Sequence, residues 1–197
     1  FRMSFICMFK CWKYTVEFEK KWAEYIGTKY AVSVNSGSSA NLLMFYSLII
    51  LDRLKSKKVI VPSIGWATTI SPVIQFGLEP VMVDADPITF GIDLDYEDGT
   101  KVGQVGDMSS FSFYFGHQLS TIEGGMVNTD DEELYHTLLM LRSHGWGKDL
   151  PKELYKQKMI ENSIDTFHEP FTFLVPGFNL RSTDLQANFG LMQIEKA

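Results

Sequence analysis

The alternation of predicted strands and helices between residues 30 and 83 is the feature that most constrains the fold. Three short runs rich in valine and isoleucine, at 30–35, 58–61 and 81–83, predict β-strands. Between them lie an apolar helix predicted over 42–54 and a second helix predicted to end near Gly77. A β-α-β-α-β order favours a parallel sheet with right-handed crossover connections.

Amphipathic segments flank this unit on both sides. A helix predicted over 16–26, with Gly27 as its stop, precedes the first strand and is expected to pack on the sheet. A strand is predicted over 125–129 and a helix over 134–143, with an acidic first turn at 130–133. These elements extend the α/β pattern through the second half of the chain.

The last fifty residues are harder to assign. The polar stretch 148–170 has no hydrophobic period, which predicts a long loop, and a short strand is predicted at 171–175. Thr183 is predicted to cap a final helix whose inner side comprises Leu185, Ala187, Leu191 and Ile194.

Composition limits the classes of partner. The 197 residues carry 18 Lys+Arg and 24 Asp+Glu, a net charge of −6, and no long basic run, so neither nucleic acid nor an anionic membrane is expected as a partner. No uninterrupted apolar run of about 18 residues occurs, so no membrane span is expected. Cys7 and Cys11 fit neither a four-ligand zinc site nor a disulfide framework, which predicts free thiols, a cytoplasmic location and no bound metal.

One histidine lies where a sheet of this kind could form a site. Phe111, Phe113 and Phe115 alternate with Ser112, Tyr114 and Gly116, which predicts a strand over 111–116 with His117 at its exit. Sites in open α/β sheets form at strand exits, whereas a lone histidine beside Ser and Gln is more commonly an ordinary loop residue. The residues alone leave both interpretations open.

A turn of small residues at 36–41 is the second candidate site. It separates the first strand from the helix over 42–54 and leaves backbone N–H groups at the positive end of that helix, where a phosphate can bind. The same pattern is also a common helix N-cap. The spacing is compatible with either.

The stretch around His117 resembles the PLP-dependent sugar aminotransferases of the DegT family. Their pattern reads S-F-x-x-x-K-x-x-x-x-x-E-G-G, and this chain matches it at Ser112, Phe113, Glu123, Gly124 and Gly125. His117 falls where the family has the lysine that binds PLP covalently. In this replacement the chain resembles a subgroup of the family, the sugar 3-dehydratases, which have a histidine in place of the lysine. Those enzymes carry His-His, whereas this chain has His117 followed by Gln118.

The resemblance implies a fold and a set of site residues. The expected fold is a three-layer α/β sandwich, the large domain of PLP-dependent fold type I, and the expected assembly is a homodimer with shared sites. By resemblance His117 is the catalytic residue. The residues expected to contact the cofactor are Gly37, Ser38, Trp66, Ser112 and Asn179, and those expected near the substrate are His144, in an R-x-H-G loop, and Arg181, for which a surface ion pair with a carboxylate is the alternative.

The chain also departs from the family pattern. The family's E-D-A motif, whose aspartate pairs with the pyridine nitrogen of PLP, is absent, and two strands and their helices are missing between 95 and 107. An internal deletion near 95–99 is therefore expected, within a partial large domain at 16–197 that follows an N-terminal arm at 1–15. Asp95 or Asp98 could replace the aspartate, but a solvated loop is the favoured place for both. The small C-terminal domain is absent, and a first residue Phe1 rather than Met suggests a fragment.

Three functions follow from the resemblance. The first is a 3-dehydratase of a nucleotide-linked 4-keto-6-deoxy sugar, using PMP regenerated from PLP by an amino donor such as glutamate, in deoxysugar or O-antigen biosynthesis. The second is a nucleotide-sugar aminotransferase, which would need a lysine at position 117. The third is a catalytically inactive remnant that dimerises or binds a phosphate ligand.

Overall fold

A sheet covered by helices on both faces forms the centre of the fold. The computed structural model describes residues 12–84 and 106–196; Cys7, Cys11, Asp95, Asp98 and the expected junction near 95–99 lie outside these ranges. The elements, in chain order, are α1 (Lys13–Ile26), β1 (Tyr30–Val34), α2 (Gly37–Ile50), β2 (Lys58–Pro62), α3 (Ala67–Gln75), β3 (Glu79–Val83), β4 (Met108–Ser112), β5 (Gly125–Thr129), α4 (Glu132–Arg142), α5 (Lys152–Glu161), a short 3-10 turn (Glu169–Phe171) and α6 (Asp184–Ile194).

The strands form two separate sheets in the described part of the chain. β5 lies between β1 and β4 and is antiparallel to both, so β1 and β4 run parallel and end at the same edge. β2 and β3 form a parallel pair of their own. The prediction that the first three strands share one parallel sheet was therefore wrong, because β1 pairs with β5. The partial sheets are those of an incomplete domain, as the resemblance implied.

Alternate residues of the sheet face two apolar clusters. On one face, α1 and α6 pack over Ala31, Met126 and Phe113, with Phe18 and Trp22 at the centre. On the other face, α2 and α4 cover Val32, Val34 and Val127. The three layers expected from the resemblance are therefore present. No helix in 12–84 or 106–196 is long and apolar enough to span a bilayer.

A buried ion pair that the sequence analysis missed joins α1 to α4. The Glu19 carboxylate accepts hydrogen bonds from the backbone N–H (2.8 Å) and hydroxyl (2.7 Å) of Ser33 and from the guanidinium of Arg142 (2.5 Å). Arg142 is 2% exposed and Glu19 7%. Because a buried charge is costly without a partner, each residue depends on the other. The pair holds the end of α4 against β1.

Several predicted boundaries were wrong for identifiable reasons. The stretch 148–170 contains α5 rather than a long loop. The helix packs on the rest of the chain through Met159, which is buried, and through Tyr155, whose ring would lie 2.8 Å from a methyl group at Gly147. Residues 171–175 form no strand: Phe171 ends the 3-10 turn, and the Leu174 N–H donates to the Gly145 carbonyl (2.8 Å). Residues 13–15 belong to α1 rather than to the arm expected at 1–15.

The predicted cap of the last helix is confirmed, but its inner side differs. Thr183 and Gln186 form a reciprocal capping box at the start of α6. Ala187 and Leu191 are buried as expected, whereas Leu185 is 67% exposed. Two residues correspond to about 200° around a helix, so Leu185 and Ala187 point in nearly opposite directions.

The cap of α4 gives a test at low pH. Asp131 accepts the Leu134 N–H (2.9 Å) and pairs with Arg53 (2.7 Å), and the guanidinium lowers the pKa of this carboxyl. Its contribution to stability is therefore complete above its usual pKa near 3.9 and is lost as the pH falls through the lower folded value. Asp131→Asn keeps the cap and removes the charge, so we expect a loss of about 0.5–1 kcal/mol at neutral pH. In urea unfolding this difference should vanish at low pH, and a difference that persisted there would contradict the assignment.

Candidate functional site

The first turn of α2 lies against the carboxyl end of β4. A methyl group at Gly37 would lie 2.5 Å from the Ser112 Cβ, and one at Gly125, on the neighbouring strand, would lie 2.2 Å from the Ser36 carbonyl oxygen. Both distances are too short for a side chain, so the helix can approach the sheet this closely only with glycine at these positions. The structure thus brings Gly37 and Ser112 together, as the sequence analysis expected of two cofactor-binding residues.

The backbone of this turn offers free hydrogen-bond donors. Ser36 is the N-cap of α2, and its hydroxyl accepts the Ser39 N–H (3.1 Å). The N–H groups of Gly37 and Ser38 have no acceptor within residues 12–84 and 106–196, and the Ser38 side chain is exposed. Two free N–H groups and a hydroxyl at a helix N-terminus suit a phosphate, since the helix dipole also favours negative charge there.

The segment that carries Asn179 and Arg181 lies beside this turn. Residue 181 pairs with Val34 at the end of β1, and the Asn35 N–H donates to the Leu180 carbonyl (2.9 Å). On its other side, Asn179 pairs with Ser143. Residues 141–144, at the end of α4 and in the loop that follows it, therefore run side by side with the loop 178–181 at the carboxyl end of β1.

Three predicted site residues contact one another on these loops. The Arg181 guanidinium donates to the Nε2 atom of His144 (3.3 Å) and to the Oδ1 atom of Asn179 (3.1 Å). A guanidinium can only donate, so His144 accepts with the lone pair of Nε2. Within the described residues Arg181 forms no ion pair with a carboxylate, so the surface pair considered as an alternative is not observed there.

Trp66 lies at the start of α3, at its N-cap position, and its side chain is 77% exposed. Asn41 connects this region to the turn of α2. Its side-chain amide donates to the Thr68 carbonyl (3.2 Å) and accepts from the Ser110 hydroxyl (2.6 Å). Trp66 is thus held near the predicted phosphate turn, with its indole free to contact a ligand.

His117 occupies a loop rather than the end of a strand. β4 ends at Ser112. One further bond, from the Phe113 N–H to the Gly124 carbonyl (2.9 Å), connects the chain to the neighbouring segment. The chain has left the sheet by Phe115, which is 67% exposed. The predicted strand over 111–116 therefore began three residues too late. The His117 side chain is exposed, and no hydrogen bond or ion pair to its imidazole occurs among the described residues.

Sequence reasoning missed Asn41, Ser110 and the close approach at Gly125. A signal for the first two was available in hindsight. Gly37 and Asn41 are four residues apart on α2, whereas Ser112 and Ser110 are two apart on β4, and these spacings match one face of a helix lying along one face of a strand. Gly125 was matched to the family pattern but was given no role.

Comparison with protein families places nearly all of the chain in one family. The model of the DegT/DnrJ/EryC1/StrS aminotransferase family matches residues 8–96 and 95–197. The chain is also 36% identical to the GDP-4-keto-6-deoxy-D-mannose 3-dehydratase of Yersinia pseudotuberculosis, over 96% of this chain and 61% of the relative. It is 29% identical to the GDP-perosamine synthase of Caulobacter vibrioides, over 96% of this chain and 60% of the relative.

A solved structure shows the same similarity in three dimensions. A GDP-4-keto-6-deoxymannose-3-dehydratase with a trapped PLP-glutamate geminal diamine superposes with a TM-score of 0.83 at 30% identity, over 94% of this chain and 61% of that one. The chain therefore spans about three fifths of the length of the relatives it matches. The alignment with the Yersinia enzyme runs over 241 residues, more than the 197 of this chain, so the relative has residues that this chain lacks.

Proposed function

Since the chain belongs to the DegT/DnrJ/EryC1/StrS aminotransferase family, we propose that it is a PLP- and PMP-dependent 3-dehydratase of a nucleotide-linked 4-keto-6-deoxy sugar. The observation that carries this proposal is His117, at the position where the family's lysine is expected. A histidine cannot hold PLP covalently, which leaves non-covalent binding of PMP as the compatible mode. The similarity to a 3-dehydratase at 36% identity supports the same choice.

The described residues suit the phosphate of this cofactor. The glycines at 37 and 125 let the first turn of α2 lie directly against β4 and β5, and the N–H groups of Gly37 and Ser38 are free at this turn. Ser112 lies directly against this turn, and the exposed indole of Trp66 offers a flat surface for the pyridine ring. When bound, the cofactor supplies an amino group and a ring that accepts electrons.

His117 moves the proton in this scheme. An imidazole is a competent general acid–base group, so it can take up one proton within the bound cofactor–sugar complex and return one to the departing C3 hydroxyl. Its ring is exposed and without a hydrogen bond in the described residues, which leaves both nitrogen atoms available. Gln118 follows it, so this chain lacks a second imidazole at that place.

His144 and Arg181, which are hydrogen-bonded to each other, are the proposed recognition site for the nucleotide sugar. A guanidinium is the preferred ligand of phosphate oxygens, and Arg181 lies beside the predicted phosphate turn. Homodimerisation, with Asn179 reaching the cofactor phosphate of the neighbouring subunit, belongs to the same proposal. So do glutamate as amino donor, which the PLP-glutamate adduct in the related structure supports, and a cytoplasmic location.

Segments of the family pattern that this chain lacks are the main argument for the alternative function, an inactive remnant. We infer an internal deletion near 95–99, supported by the two family matches that meet at residues 95–96 and by the longer alignment of the relative. The E-D-A motif would lie in the missing part. Without its aspartate the ring nitrogen has no carboxylate partner, which favours an inactive remnant that binds a phosphate ligand. An aminotransferase is supported by the similarity to GDP-perosamine synthase but lacks the required lysine.

Restoring the lysine tests the proposed role of position 117. The variant His117→Lys, treated with PLP and then with borohydride, should carry a stable adduct at position 117, located by mass spectrometry of the peptides. The wild-type chain and the His117→Asn control should carry none there. If the folded His117→Lys variant acquired no adduct, position 117 would not face the cofactor and the proposal would be wrong.

A further inference from the structure

Helix α2 lies lengthwise along one face of β4, and Asn41 forms a side-chain hydrogen bond across that contact. Gly37 lies against Ser112, and one helical turn later Asn41 accepts the Ser110 hydroxyl at 2.6 Å. Further along, the Ser47 hydroxyl lies 3.6 Å from the sulfur of Met108. The side chain of Asn41 is thus fixed from the strand side by Ser110.

The second bond of Asn41 compensates for a proline. The Thr68 carbonyl would normally accept the N–H of residue 72 in helix α3, but residue 72 is proline and has no N–H. Asn41 supplies the missing donor, because its Nδ2 atom lies 3.2 Å from the Thr68 oxygen. The break in the hydrogen bonding of α3 is therefore filled by a side chain from α2.

The two hydrogen bonds of Asn41 fix the distance between the phosphate turn at Gly37–Ser38 and the start of α3, which carries Trp66. Asn41 is on the second turn of the helix that begins at Gly37, and Thr68 is two residues after Trp66. Through the amide of Asn41, the phosphate turn and the start of α3 are tied to each other and to β4. The side chain of Trp66 is 77% exposed, so the backbone near it sets where the indole lies.

We infer that Asn41 is a positioning residue that sets the Trp66 indole at the correct distance from the Gly37–Ser38 turn. This inference rests on the proposed function, in which the turn holds the phosphate and Trp66 covers the ring. In this role Asn41 acts through its hydrogen bond to the Thr68 carbonyl of α3. The Thr68 carbonyl needs a donor and the Ser110 hydroxyl needs an acceptor, which explains why a side-chain amide, with both, occupies this position.

The test compares binding of PMP, which has a phosphate and a ring, with binding of inorganic phosphate alone. In Asn41→Leu, which has a similar volume and no hydrogen bonds, calorimetry should show PMP affinity reduced about tenfold, the effect of losing one partly buried hydrogen bond. Affinity for inorganic phosphate should be unchanged. In a Trp66→Ala background the effect of Asn41→Leu on PMP affinity should disappear, because the two residues act as one unit. Ser110→Ala, which keeps the bond to Thr68, is the matched control and should retain most of the PMP affinity.

A measurement of stability without cofactor distinguishes the loss of the Asn41–Thr68 bond from general unfolding of the variant. Pro72→Ala returns an N–H to the Thr68 carbonyl, so Asn41→Leu should lower the unfolding midpoint less in that background than in the wild type. If the wild-type chain bound PMP and Asn41→Leu bound it equally tightly, the positioning role alone would be overturned. If the wild-type chain bound no PMP, the proposed function would fail and the positioning role with it.

Discussion

Replacing Glu19 by alanine is expected to destabilise the folded chain by about 3–5 kcal/mol, the usual cost of removing one member of a buried ion pair. The substitution leaves the Arg142 guanidinium, 2% exposed, without its closest carboxylate. It also removes the acceptor of the Ser33 N–H and hydroxyl. Urea unfolding, followed by circular dichroism, measures this loss.

An exposed ion pair provides the matched control. Lys21 and Glu195 lie 3.3 Å apart with side chains 36% and 68% exposed, so Lys21→Ala should cost less than about 1 kcal/mol. The double substitution of Glu19 by leucine and Arg142 by methionine should recover much of the stability lost in Glu19→Ala, because no unpaired charge remains. Equal losses in Glu19→Ala and Lys21→Ala would show that the buried pair is not a central contact.

The second large effect is expected at Gly125, where alanine should abolish most of the binding of phosphate and PMP. Its methyl group would lie 2.2 Å from the Ser36 carbonyl oxygen and 2.8 Å from the Gly37 nitrogen, both backbone atoms. The turn would have to move away from β5, and the donors of Gly37 and Ser38 would move with it. We expect phosphate affinity to fall by about tenfold or more, with a loss of about 1–3 kcal/mol in stability from overpacking.

Gly65→Ala is the control for this substitution. A methyl group there would meet only the Pro62 ring, at the ordinary contact distance of 3.4 Å, and stability and phosphate affinity should change little. Calorimetric titration with inorganic phosphate measures both variants. Unchanged phosphate affinity in Gly125→Ala would place the phosphate site elsewhere.

Local elements were predicted well where the signal was local. The stop at Gly27 and the cap at Thr183 were expected from residue type, and both are observed, as is the acidic first turn of α4. The α5 helix was missed because its burial rests on Met159 and on the contact of Tyr155 with Gly147, which no periodicity reveals. Pairing was harder still, since β1 joins β5 nearly a hundred residues later.

For the candidate site, too, local motifs could be predicted from the sequence and contacts between distant segments could not. The small-residue turn and the motif around His117 could be found from the sequence, and the structure brings Gly37 against Ser112 and Arg181 against His144. The role of Asn41 could not be found, because it depends on a carbonyl freed by a proline in another helix. Contacts of this kind appear only when distant segments are packed together.

Titration of the purified wild-type chain with PMP and with PLP, followed by absorbance before and after borohydride, tests the central claim most directly. The account predicts saturable binding of PMP that borohydride does not alter, competition by inorganic phosphate, and no PLP fixed at position 117. Binding of neither form, or binding of PMP that inorganic phosphate does not displace, would contradict it. In the first of these cases the chain would be a remnant that keeps the family's fold without its cofactor.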